Sequence, residues 1–130
     1  MKTFVEFRSD KFPPYDGEED EINPGLWGKR LAEYMVQTSA VRGIKVEKII
    51  AEDWGYYLPV QIEGFKLALC CGHQGGESDV FLCFTDPKTP VVKKLFRKID
   101  ATAQLSRLTE AVEQILSSDP EIGDIVWREP

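Results

Sequence analysis

The fold turns on one stretch: Phe65-Lys66-Leu67-Ala68-Leu69-Cys70-Cys71, a loop from Gly72 to Asp79, then Val80-Phe81-Leu82-Cys83-Phe84. Successive side chains of a strand point to opposite faces, so a strand apolar at nearly every position is buried on both. Such strands occupy the middle of a sheet with cover on either side. Pairing Gly72 with Asp79 puts Leu67, Leu69, Leu82 and Phe84 on one face and Ala68, Cys70, Phe81 and Cys83 on the other. This reading expects helical layers above and below a central hairpin.

Working outward, residues 3–8 read as a strand and residues 9–24 as a loop, because Pro13 and Pro14 cannot continue a strand and Asp16 to Glu21 has no apolar face. A helix is expected with Asn23 as its N-cap and Pro24 in its first turn, its buried stripe running through Trp27, Leu31, Tyr34, Met35 and Thr38 to a stop at Gly43. Residues 44–52 and 56–62 read as strands, with Pro59 marking an edge or a bulge. Beyond the hairpin, Thr89-Pro90 opens a helix with Val92, Leu95, Phe96 and Ile99 as its buried stripe. Asp100 caps a second helix carrying Leu105, Leu108, Val112, Ile115 and Leu116, and Ile122 to Arg128 reads as a last short strand or an extended tail. The order is β-α-β-β-β-β-α-α-β. It predicts one α+β domain over residues 1–130, with a mainly antiparallel sheet of about five to six strands packed with two to three helices.

The chain has 130 residues, enough to bury a core without staples. Its formal charge of −6 opposes nucleic acid and anionic membrane, so neither is expected as a partner. No stretch reaches the roughly 20 apolar residues of a membrane helix, and the charged start Met1 to Arg8 does not read as a signal peptide. Cys70, Cys71 and Cys83 are an odd set, and adjacent strand residues do not bridge, which fits free thiols in a reducing cytoplasm.

Five features could carry chemistry. Glu52-Asp53-Trp54-Gly55 puts two carboxylates and an indole where a strand stops. Glu52 or Asp53 then serves as an acid/base or an acceptor for a basic ligand with Trp54 as a wall, or the segment is a capped turn with Trp54 plugging the core. His73, the only histidine, lies in the glycine-rich loop between Cys71 and Cys83. In the register above, Cys70 and Cys83 are diagonal neighbours within roughly 5–8 Å at Cβ. With His73 they make at most three soft ligands and lack paired C-x-x-C spacing, so no metal site is assigned. The loop holds no phosphate-cradling motif, and no cofactor is implied. Lys93, Lys94, Arg97 and Lys98 share one face of the expected helix, while Asp16, Glu18, Glu19, Asp20 and Glu21 form an acidic run. Each is an interaction surface for opposite charge, or plain solvated surface. Tyr56 joins Glu52, Asp53, Trp54 and His73 as a candidate binding residue, and with Tyr15, Tyr57 and Trp127 it is an aromatic the core stripes do not use.

Phe7 to Pro14, Asn23 to Leu31 and Glu52-Asp53-Trp54-Gly55-Tyr56 resemble a group of small uncharacterised bacterial proteins with an E-D-W-G-aromatic motif. Phe81 to Phe84 and Leu95 to Asp100 extend the likeness over most of the chain. The resemblance implies a bacterial cytoplasmic protein and brings no activity with it. The expected function is a non-catalytic binding module, immunity- or inhibitor-like, for a protein partner that is basic. The alternative is a small ligand-binding domain or enzyme with a pocket around Glu52, Asp53, Trp54 and His73.

Overall fold

The computed structural model describes residues 1–130. Its main sheet is antiparallel throughout, with strands β1 (Phe4–Arg8), β2 (Ile50–Glu52), β3 (Gly55–Val60), β4 (Leu67–His73), β5 (Val80–Asp86) and β8 (Gly123–Arg128) in the order β2-β3-β4-β5-β1-β8. A separate hairpin, β6 (Val91–Lys94) with β7 (Arg97–Asp100), follows β5. The helices are a single turn, α1 (Glu18–Glu21), then α2 (Lys29–Val41) and α3 (Thr102–Ser118). This is the expected α+β class with six strands in the main sheet.

The central hairpin is central, but its register differs from the expected one. Cys70 pairs with Phe84, Cys71 with Cys83, and His73 with Phe81. The strands run on through His73 and close with Gln74 N donating to the Val80 carbonyl. The shift is three residues. An odd shift exchanges the faces of one strand. Leu69, Cys71 and His73 therefore share a face with Phe81 and Cys83, while Cys70 joins Leu82 and Phe84 on the other.

Every residue of β4 is buried, as expected of a strand covered on both sides, but only one of the two covers is helical. The main core joins Val5, Phe7, Leu58, Leu69, Cys71, Phe81 and Cys83 to Leu31 and Met35 of α2 and to Leu105, Leu108, Val112, Ile115 and Leu116 of α3. All the sheet residues in that set lie on one face. The other face carries a row running Tyr57, Cys70, Phe84, Phe4 and Arg128 from strand to strand, with no helix over it. The helices thus cover one face of the sheet only, while Ala68 and Cys70 on the other face are buried without a helix over them.

Two helix expectations also change. The α2 helix starts at Lys29, not beside Asn23: Gly25 and Gly28 have positive φ (78° and 149°), and Leu26 N donates to Asn23 O in a turn. Trp27 consequently stands outside the helix. Residues 91–100 form a β-hairpin instead of a helix. Val92 and Ile99, which a helix would carry on one stripe, are directly opposed across it and pack against the core. Elsewhere Gly43 (φ 77°) ends α2 with Ile44 N bonded to Ser39 O. The Asp100 carboxylate accepts from Thr102 N at 2.9 Å, at the start of α3. Pro59 sits where pairing on its outer side shifts by one residue, between Ile50↔Tyr57 and Val46↔Val60, which is a bulge.

Candidate functional site

Glu52 pairs with Gly55, so Asp53 and Trp54 form a two-residue hairpin turn. A Cβ on Gly55, whose φ is 152°, would lie 2.4 Å from the Cys71 carbonyl oxygen. Only glycine lets β3 and β4 approach this closely. Gly55 and Gly72 are paired and leave the face away from the helices without a side chain at that point. Trp54 reaches Phe84 with ring centroids 5.5 Å apart. It is neither core plug nor free: 37% of it remains exposed, and Glu52 and Asp53 are exposed beside it.

The structure brings this turn together with the acidic run. Asn23 Nδ2, just past α1, donates to the Asp53 carbonyl at 2.6 Å. Within the run, Glu18 is not part of any surface. It is 3% exposed, its Oε2 accepts from Gly28 N, Lys29 N and the Tyr56 hydroxyl at 2.8–2.9 Å, and its Oε1 accepts from Tyr15 N. A buried carboxylate at the start of α2 satisfies orphan N–H groups and faces the positive end of the helix dipole. Glu19 accepts from Gly25 N, while Asp16, Asp20 and Glu21 are exposed. None of Asp16, Glu19, Asp20, Glu21, Glu52 and Asp53 is ion-paired. The result is an acidic pole that joins the run 16–21 to the Asp53-Trp54 turn through Asn23.

His73 and Tyr56 lie on the opposite, helix-covered face. Trp27 stacks on the His73 ring at 3.7 Å, Nδ1 faces the Gly25 carbonyl at 3.1 Å, and Nε2 is buried without a hydrogen-bond partner. Burial lowers the His73 pKa against the pull of surrounding carbonyls, so the ring is neutral at pH 7. The Tyr56 phenol is held protonated by burial and by the Glu18 carboxylate. None of the five principal cavities is lined by Glu52, Asp53, Trp54 or His73.

The thiols are all free and buried. Cys71 and Cys83 are directly opposed with sulfurs 3.8 Å apart, and Cys70 points to the other face, which replaces the diagonal Cys70–Cys83 arrangement. Burial pushes the Cys70 thiol up to about 12. No three His, Cys, Asp or Glu side chains are grouped to hold a metal ion.

The basic residues do not share a helix face. Lys93 opposes Lys98 and Lys94 opposes Arg97 across the β6–β7 hairpin, so they fall on its two faces. Between this hairpin and the sheet runs a groove of about 630 Å³ lined by Tyr57, Lys66, Asp86, Val92, Lys93 and Lys94. Its Tyr57 phenol is pushed up to about 12, by burial and the nearby Asp86 carboxylate. Sequence reasoning missed this groove, because it assigned 91–99 to a helix. It also missed the capping role of Glu18, whose α2 partners Gly28 and Lys29 lie ten and eleven residues downstream.

The chain matches no family model, no curated protein and no solved structure. No helix is long and apolar enough to cross a membrane.

Proposed function

We propose that this chain is a non-catalytic binding module, immunity- or inhibitor-like, whose acidic pole docks on a basic protein partner with Trp54 as the anchor. The observation that carries this reading is the pole itself: carboxylates from two separate segments, none ion-paired, joined by the Asn23–Asp53 bond at a turn whose indole is 37% exposed. Aromatic anchors within a charged rim are the usual anatomy of a protein interface. Charge complementarity of this kind speeds encounter and weakens with salt. The buried unpaired thiols support a reducing cytoplasm as its compartment, and the E-D-W-G-aromatic motif supports a bacterial origin.

The competing enzyme or ligand-pocket reading needs Trp54 and His73 in one cavity. They lie on opposite faces of the sheet, and the His73 ring is covered by Trp27.

The test is capture from a lysate of the source cell, at low and high salt, with the wild-type chain and with an Asp20→Lys/Glu21→Lys/Asp53→Lys variant. One partner held at low salt, released at high salt and lost by the variant is the expected result. Identical captures by both proteins would remove the acidic pole from the function.

A further inference from the structure

The β6–β7 hairpin carries the most exposed apolar side chains of the molecule. Leu95 and Phe96 form its two-residue tip and are 92% and 105% exposed. Leu95 adopts φ 55°, a conformation unusual for a branched apolar residue, and so holds the tip in a tight turn. Lys93, Lys94, Arg97 and Lys98 stand within two residues of that tip, and none of them is ion-paired. Lys94 Nζ donates to the Gly64 carbonyl. The base is fixed by Val92 and Ile99 against the core and by Ala101 N donating to Pro90 O, so the tip is held out from the body.

We propose that this hairpin docks the protein on an anionic lipid surface, with Leu95 and Phe96 entering the headgroup–acyl boundary and the four cations meeting the phosphates. The shape favours a bilayer over a protein cleft. The cations lie on both faces of the hairpin around an almost fully exposed apolar tip, an arrangement a flat, deformable surface receives from every side. Apolar insertion combined with basic residues is the recurrent logic of peripheral membrane binding.

The chain's overall charge of −6 is no obstacle. The expectation that it excludes anionic membrane rested on that bulk charge, and the structure instead gathers Lys93, Lys94, Arg97 and Lys98 beside an exposed apolar tip. The hairpin touches the chain just beyond the Val60 end of β3 through Gly64, and the acidic pole lies at the Gly55 end. From Gly55 to Val60 the strand rises about 17 Å, about twice the roughly 8 Å screening length at physiological salt.

Co-sedimentation with vesicles tests this. The protein is expected to pellet with equimolar phosphatidylcholine and phosphatidylglycerol and to stay in solution with phosphatidylcholine alone. Each cation near such a surface is worth roughly fivefold in affinity, so Lys93→Glu/Lys98→Glu should weaken binding at least tenfold. Leu95→Ser/Phe96→Ser should do the same. A Phe96→Trp reporter, in an otherwise unchanged chain, should shift its emission to the blue with the anionic vesicles only. Failure to pellet with anionic vesicles, equal binding to neutral ones, or unchanged binding by the serine variant would overturn the proposal. Tip-dependent capture of a protein without vesicle binding would overturn it too. The lysate capture above uses acidic-pole variants that leave this hairpin intact, so the two proposals fail separately.

Discussion

Replacing Glu18 by alanine should nearly unfold the N-terminal third of the molecule, although the residue sits in what the sequence presents as a solvated acidic loop. The substitution leaves four donors without their acceptor: the N–H groups of Tyr15, Gly28 and Lys29 and the Tyr56 hydroxyl. Hydrogen bonds to a charged group are worth about 1.5–3 kcal/mol each, and a lost helix cap about 1. These bonds share one carboxylate and are not additive. Breaking a buried charged network costs about 3–5 kcal/mol, which sets the expected loss for Glu18→Ala. For a chain of this length that is a fall in Tm of roughly 10–20 °C. Glu18→Gln keeps an oxygen for Gly28 and Lys29 and should lose only about 1–2 kcal/mol. Urea unfolding followed by far-UV circular dichroism measures both. A Glu18→Ala protein within about 0.5 kcal/mol of wild type, the spread of ordinary surface substitutions, would refute the assignment of Glu18 as an internal cap.

Three further outcomes follow from the packing. Gly55→Ala forces a Cβ onto the Cys71 carbonyl oxygen and should destabilise by about 3 kcal/mol or more, read in the same unfolding assay; a neutral result would contradict the close strand approach. His73 has a folded pKa below its unfolded value of 6.5, so the unfolded chain binds the extra proton first as pH falls. Its contribution is complete above pH 6.5 and is lost as pH drops through the folded pKa; His73→Phe should flatten the stability–pH curve in that window, and an unchanged slope would count against a buried neutral imidazole. Cys70, Cys71 and Cys83 are each at most 1% exposed, so a disulfide-exchange reagent should find almost no thiol in the native protein and all three after denaturation.

Local signals read correctly for α3 and for the end of α2. The i, i+3, i+7 spacing of Leu105, Leu108 and Val112 gave α3, and Gly43 marked the end of α2 because a C-cap needs only a few neighbouring residues. The apolar run at 67–71 placed β4 in the middle of the sheet. Its register stayed hidden because the loop 74–79 has no two-residue turn signal to fix the pairing. Val92, Leu95, Phe96 and Ile99 misled for a physical reason: i, i+3, i+4, i+7 spacing also arises when two strand residues oppose each other and two more cap the turn between them. Of the candidate site, the Glu52-Asp53-Trp54-Gly55 turn was visible. Its union with the acidic run was not, since that depends on one long-range bond from Asn23 to the Asp53 carbonyl.

The acidic pole is tested most directly by zero-length carbodiimide cross-linking in a lysate of the source cell, with the linked sites mapped by mass spectrometry. Cross-links should join Asp16, Asp20, Glu21, Glu52 or Asp53 to lysines of one other protein and vanish at high salt. Links scattered over every exposed carboxylate, including Glu110 and Glu129 on the far edge beside β8, would show that nothing docks there.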